Sequence, residues 1–251
     1  MNKRASATLV GLIEVAALGL AIFSIATLFG GLHRYLELFS HFRAQYLVAA
    51  IFLLLVFGIL RRRNISLLLL ALVILNATFV IPWYVGEDQP AATGQEITLL
   101  QANVLARNGQ TGALMSQIDE VQPDIVVIQE MSADWLEAML QRADEYPYHV
   151  AEPQDGAFGI GMFSKIPLAD ERIVRAPPID LPEVRVILRT NGGDIYLASA
   201  HPLPPIGEAS IEARNTQLQA LGTTLGTMTR PTILIGDLNI SMWAPTYRAF
   251  E

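Results

Sequence analysis

The stretch RPTILIGDLNIS, Arg230–Ser241, runs an apolar and β-branched segment straight into Gly236, Asp237, Leu238 and Asn239. A short aliphatic run between Pro231 and Gly236 predicts a fully buried strand, the kind that lies inside a sheet with neighbours on both sides. Such a strand has little reason to end on a carboxylate and an amide two positions apart unless its end opens into a cleft. In extended backbone, residues i and i+2 project to the same side, so Asp237 and Asn239 would enter that cleft together. A plain Gly-Asp turn explains the pair equally well when it is taken alone. The decision rests on how the other strands end.

Three further apolar runs close on polar residues: LLQAN on Asn103, VVIQE on Glu130 and YLASAH on His201. Each has an ordinary reading beside the functional one. Asn often ends strands, and His201 before PLPP, like His149 in YPYHV, can simply cap one. Glu130 is the harder case, because an acid abutting four aliphatic residues has to be solvated or paired. Strand ends hold side chains rigidly while leaving them open to solvent. Together these four ends supply two carboxylates, two amides and an imidazole. Carboxylate and carboxamide oxygens are hard ligands that suit Mg²⁺, Mn²⁺ or Ca²⁺ and not zinc. Such a set suits a phosphoester: the cation polarises the phosphoryl oxygen, a carboxylate handles the attacking water, and the imidazole donates to developing charge.

Around these ends, QTGALMSQIDEV and SADWLEAMLQRA are predicted helices, the second with Ser132 as N-cap. GAFGIGMFS, ERIVRA, EVRVILRT and DIYLASAH are predicted short strands, with a hairpin turn at TNGGD. A helix is expected over about Glu208–Met228. The core is expected from TLLQANV, DIVVIQE, IYLASA and TILIG. Only about a dozen residues follow the last of these, so the second sheet is expected to be incomplete at the C-terminus, with an exposed edge.

The first third of the chain is different. Ala7–Leu32, Ala44–Leu60 and Ile65–Val85 are almost wholly apolar, each near the roughly 20 residues that cross a bilayer, and three transmembrane spans are predicted. The second is short and relies on Arg43 and Arg61 reaching the headgroups. The first is longer than the apolar stretch of a cleaved signal peptide. Lys3, Arg4 and the Arg61–Arg63 triplet flank the spans on one side, while the loop HRYLELFSHFR carries only Arg34 and Arg43. The positive-inside rule then makes the N-terminus cytoplasmic and everything beyond Val85 external. Residues 1–86 carry seven Lys/Arg against two Asp/Glu, and residues 87–251 carry ten against twenty-two, charges of +5 and −12. A domain at −12 gains nothing from a nucleic-acid phosphate backbone, which counts against that substrate. The chain has no cysteine, so no disulfide supports the outer part.

The order of QANV, VVIQE, GIGMFSKIPL, SAHPLPP, RNTQLQAL and LIGDLN, from about Ile97 onward, resembles the endonuclease/exonuclease/phosphatase superfamily of DNase I-like, metal-dependent phosphoesterases. The resemblance implies an α+β fold, a four-layer αββα sandwich following the three transmembrane helices. It divides the chain into an anchor (1–86), a linker (87–96) and a partial phosphoesterase domain (97–251). It implies Glu130 as the main ligand of Mg²⁺ (or Mn²⁺), with Asn103 beside it. Asp237 would align and activate the water, and Asn239 and His201 would contact the scissile phosphate. Arg214 and Gln217 would be structural, and Gln129 is assigned no role. A closing Asp-His segment of the family is not met before Glu251, and Leu105 stands where nuclease members often carry a second acid. With its spans, the chain resembles membrane-bound members such as the teicoplanin-resistance membrane proteins of actinobacteria, whose external domain is linked to polyprenyl-pyrophosphate metabolism. The implied substrate is a lipid or polyprenyl phosphoester or pyrophosphate at the external face. An external nuclease and a non-catalytic membrane scaffold are the alternatives.

Overall fold

A computed structural model describes residues 3–86 and 96–250; the Gly86–Glu96 linker expected from sequence lies almost entirely outside the described residues. The chain divides into two compact units, residues 1–90 with 240–251 and residues 91–239.

The first unit is helical: α1 (Lys3–Ala26), α2 (Arg34–Ser40), α3 (Arg43–Ile59) and α4 (Arg63–Val80). Two helical stretches, Thr8–Phe29 and Arg63–Trp83, are long and apolar enough to cross a membrane. The expected middle span coincides with α3, which falls short of span length by itself; a third span is reached only if α2 and α3 count as one. α3 has 17 residues, a rise of about 26 Å against the ~30 Å of a hydrocarbon core. The segment expected as a loop before it is the helix α2, bent by 62° from α3. Only as a bent pair do the two reach span length. Ala17, Leu20, Ala50, Phe57, Leu69 and Leu72 form the centre of the bundle, and Asn76 Nδ2 ties α4 to α1 through Ser24 Oγ at 3.1 Å. Much of the outer surface is aliphatic or aromatic, with Val48 68 % and Phe52 64 % exposed, a surface that water does not solvate well. The short helix α8 (Pro245–Phe250) belongs to this unit, with Tyr247 edge-on to Trp83.

The second unit is α+β, with two four-stranded sheets. The first has the order β1 (Leu99–Asn103), β2 (Ile125–Gln129), β4 (Ile160–Ser164), β3 (Tyr148–Glu152). β1 and β2 are parallel and the other pairs antiparallel. The second has the order β5 (Leu168–Ala176), β6 (Leu181–Thr190), β7 (Gly193–Ala200), β8 (Thr232–Ile235). β5, β6 and β7 form an antiparallel meander, and β8 joins β7 in parallel. Alternate residues of β2, β4, β6 and β7 (Ile125, Val127, Ile160, Met162, Val184, Val186, Leu188, Leu197) meet between the sheets. The opposite face of the first sheet, with Val126, Ile128 and Phe163, is covered by Ile118 of α5 (Gly112–Val121) and Trp135 and Met139 of α6 (Ala133–Leu140). α7 (Glu208–Gly226) buries Ile211, Leu218 and Leu221 and reaches β6 through Gln217 Nε2 to Glu183 Oε1, 2.9 Å.

Some expectations change. Among the described residues β8 pairs with β7 alone, which is the exposed edge expected of the second sheet, but it is half-buried along its length and not fully buried. The fully buried residues between the sheets come from β2, β4, β6 and β7, and Leu99 of β1 and Ile233 and Ile235 of β8 are partly buried against them. His149 does not cap a strand: it lies within β3, stacked on Phe163. Ser132 does stand at the N-cap of α6, but its side chain makes no capping hydrogen bond.

Candidate active site

Parallel pairing puts the C-terminal ends of β1 and β2 together in one sheet, and those of β7 and β8 together in the other. The five residues singled out from sequence all lie at these ends. Asn103 is the last residue of β1; Glu130, His201 and Asp237 follow β2, β7 and β8. They converge: Asn103 Nδ2 lies 2.9 Å from Glu130 Oε1 and 3.1 Å from Asp237 Oδ2. One amide thus bridges carboxylates from two different sheets.

Local backbone sets each group. Glu130 has φ 58°, a left-handed conformation that costs a residue with a side chain about 1–2 kcal/mol. It is held there from both sides, by Val104 N donating to Gln129 O (3.1 Å) and Met131 N to Gly159 O (3.0 Å). Its other oxygen, Oε2, accepts from Ala106 N at 3.0 Å. Gly159 is needed for this approach, since a Cβ there would stand 1.9 Å from Met131 O. Gly236 plays the same part on the other sheet, where a Cβ would stand 2.2 Å from Ala200 O.

The predicted extended geometry of Asp237 and Asn239 is a correction. Asn239 has φ 52°, and its N–H donates to Asp237 Oδ1 at 3.0 Å, an Asx-turn. The strand ended at Ile235, so the i, i+2 rule of extended chain no longer applies. Asn239 Nδ2 donates to Pro202 O (2.8 Å), and its carbonyl accepts from the buried Arg214 Nη1 (3.0 Å). The turn is thereby fastened to the segment that follows β7 and, through Arg214, to α7.

His201 is 5 % exposed, with Nε2 3.9 Å from Asp237 Oδ2 and its ring beside Phe158. Burial lowers its pKa below the ordinary value of 6.5, against the opposing charges of Asp237 and Glu130 and the backbone of Ala157. The imidazole is therefore neutral near neutral pH.

Sequence reasoning gave Gln129 no role. It is fully buried, donates from Nε2 to Ser199 Oγ of β7 at 3.0 Å, and accepts from Gln101 Nε2. This polar bridge joins the two sheets directly beneath the site. The only signal for it was a Gln inside an otherwise aliphatic strand.

The donor set fits a hard divalent cation. Neither Glu130 nor Asp237 has a Lys or Arg partner among the described residues, so two carboxylates share one neutral amide and one neutral imidazole. No three Asp, Glu or His side chains among the described residues are placed to hold an ion by themselves, so an amide oxygen such as that of Asn103 is the further hard donor at hand. Its Oδ1 accepts one N–H, from Leu105 at 3.1 Å, and keeps a second lone pair.

Residues 100–251 match the model of the Endonuclease/Exonuclease/phosphatase family. The chain belongs to this family. No curated protein matches it. Among solved structures, TDP2 of D. rerio complexed with a single-strand DNA product is similar with TM-score 0.53 and 17% identity, covering 61% of this chain and 64% of that one. A humanized D. rerio TDP2 with 14 mutations gives 0.51 and 18%, covering 58% and 67%. Sphingomyelinase C of Streptomyces griseocarneus gives 0.47 and 19%, covering 62% and 68%. The chain spans about two thirds of the length of these structures. At such identities the likeness to TDP2 is one of fold, and it agrees with the two-sheet DNase I-like architecture of the second unit. Membership of the family makes hydrolysis of a phosphoester the chemistry to consider for its strand-end cluster.

Proposed function

We propose that the chain is a membrane-anchored, divalent-metal-dependent phosphoesterase acting on a lipid or polyprenyl phosphoester or pyrophosphate at the external face. The observation that carries this reading is the Asn103 amide between the Glu130 and Asp237 carboxylates, with no Lys or Arg among the described residues to neutralise them. Glu130 and Asn103 would hold Mg²⁺ or Mn²⁺. When bound, the cation supplies Lewis-acid polarisation of a phosphoryl oxygen.

The remaining work falls to the protein's own groups. Asp237, fixed by the Asn239 N–H on one oxygen and Asn103 on the other, orients the attacking water and takes its proton. Neutral His201 offers an N–H to charge developing on phosphoryl oxygens, in a buried setting where such a bond is strong. Asn239 keeps a second amide hydrogen for the phosphate beyond the one given to Pro202. Read as three spans, with α2 and α3 together as the second, the helical part has five of its seven basic residues (Lys3, Arg4, Arg61, Arg62 and Arg63) on one side, which supports a cytoplasmic N-terminus and an external second unit.

The test is phosphoester hydrolysis by the full chain in lipid nanodiscs, with and without Mg²⁺. Glu130→Ala and Asp237→Ala are each expected to lower turnover by roughly 10²–10⁴-fold. Wild-type turnover in both variants, on every phosphoester hydrolysed, refutes the proposal.

A further inference from the structure

The turn between α3 and α4 is made of arginines. α3 ends at Ile59, Arg61 takes φ 57°, and α4 starts at Arg63. Arg61 N donates to Gly58 O (3.1 Å) and Arg62 N to Phe57 O (3.0 Å), which closes a tight hairpin and sets three guanidinium groups on consecutive positions. Left-handed backbone at such a turn is taken far more readily by Gly or Asn than by Arg. The position keeps a cationic side chain against that preference.

A cavity of about 400 Å³ opens here, lined by Arg61, Arg62, Arg63, Asn64, Ile65 and Glu14 of α1. Glu14 Oε1 is 3.8 Å from Arg62 Nε and offsets one charge. Arg61 and Arg63 have no ion-pair or side-chain hydrogen-bond partner among the described residues. The cavity thus carries a net charge of about two positive units, counted over its own lining groups. Its surroundings on the same hairpin are aliphatic and bare, with Ile59 83 %, Leu60 42 % and Leu67 56 % exposed. A cationic cup edged by exposed aliphatic side chains complements a molecule that is anionic at one end and hydrocarbon at the other.

We propose that the α3–α4 turn binds the phosphate of an anionic phospholipid between Arg61 and Arg63, with an acyl chain lying along Ile59 and Leu60. Free phosphate shares the headgroup chemistry, but it leaves those two aliphatic side chains uncovered. The proposal rests on reading the apolar helices as membrane-embedded, and it is independent of the phosphoesterase reading.

The experiment is native mass spectrometry of the full chain released from nanodiscs of mixed phosphatidylglycerol and phosphatidylcholine. The wild type is expected to retain phosphatidylglycerol in preference, and Arg61→Gln with Arg63→Gln to lower that preference roughly ten- to thirtyfold. Glu14→Gln, which removes the cavity's one acid, is expected to raise it, so the idea stays testable should the double variant misfold. Excess inorganic phosphate is expected to leave the lipid in place. Displacement by phosphate, equal retention of the two lipids, or a preference untouched by all three substitutions overturns the proposal.

Discussion

Gly236 decides how closely the two halves of the site approach. Its φ of 152° is disfavoured for any residue with a side chain, and a Cβ there would meet Ala200 O at 2.2 Å and Gln129 Nε2 at 3.2 Å. The nearest obstacle is backbone, which cannot swing aside. Gly236→Ala is therefore expected to destabilise the second unit by about 2–4 kcal/mol and to displace Asp237 from Asn103. Urea unfolding of the full chain in detergent, followed by tryptophan fluorescence, would measure the first effect; an unchanged midpoint would show that the close approach is not there. His201 makes a second residue-scale prediction. Because burial holds its folded pKa below 6.5, the unfolded chain takes up a proton that the folded chain refuses as pH falls below 6.5. Stability from this group is complete above that pH and declines from there down to the folded pKa. Urea midpoints in metal-free buffer should fall across that window in the wild type and fall less steeply in His201→Gln. Equal slopes would mean that the imidazole titrates freely.

The strand-end cluster is a product of pairing order, and pairing is where sequence reasoning met its limit. β2 was legible because an aliphatic run closing on Gln129 and Glu130 has few other readings, and β7 for the same reason. β8 carries an equally apolar run, yet it sits half-buried at an edge: aliphatic content reports that a strand is covered, not on how many sides it is paired. The helix α2 escaped notice because its seven residues span fewer than two helical turns, too few repeats to set a pattern between two apolar runs. The Asp237–Asn239 pair was found by composition but placed by the wrong geometry, since the Asx-turn depends on Arg214 and Pro202 far along the chain. Gln129 was invisible as a bridge because both faces of its strand are buried, which removes the alternation that would show where it points. The bridge yields a prediction of its own. Gln129→Leu leaves the Ser199 hydroxyl and the Gln101 amide without their partners, an expected loss of about 1–3 kcal/mol. With Ser199→Ala the effects should be less than additive, as for residues in one hydrogen-bonded network. If the bridge also sets the spacing between Glu130 and Asp237, Mg²⁺ affinity measured by calorimetry falls in Gln129→Leu. Unchanged affinity alongside lowered stability would confine Gln129 to a structural part.

At the scale of the whole chain, charge is divided as sharply as hydropathy: +5 over residues 1–86 and −12 over residues 87–251. Helices apolar enough to cross a membrane, carried on the same chain as the second unit, would confine that unit to a thin layer of solvent and raise the effective concentration of any headgroup in the bilayer. The negative charge acts oppositely on a long polyanion, which is repelled over a distance set by the Debye length, about 10 Å at 0.1 M salt. The two candidate substrate classes therefore differ in the sign of their response to salt. Proteins that neutralise DNA phosphates with basic side chains lose affinity steeply as salt rises. If the proposed activity holds, a domain at −12 does the reverse: kcat/KM on single-stranded DNA starts low and climbs as salt screens the repulsion. Hydrolysis of a lipid phosphoester held in the same nanodisc should change little, because the tether and not long-range attraction brings it to the site. The measurement is kcat/KM for both substrates over rising KCl with Mg²⁺ held constant. A steep fall on DNA together with weak activity on the lipid would reveal a basic groove that the charge count hides, and would make the chain a nuclease.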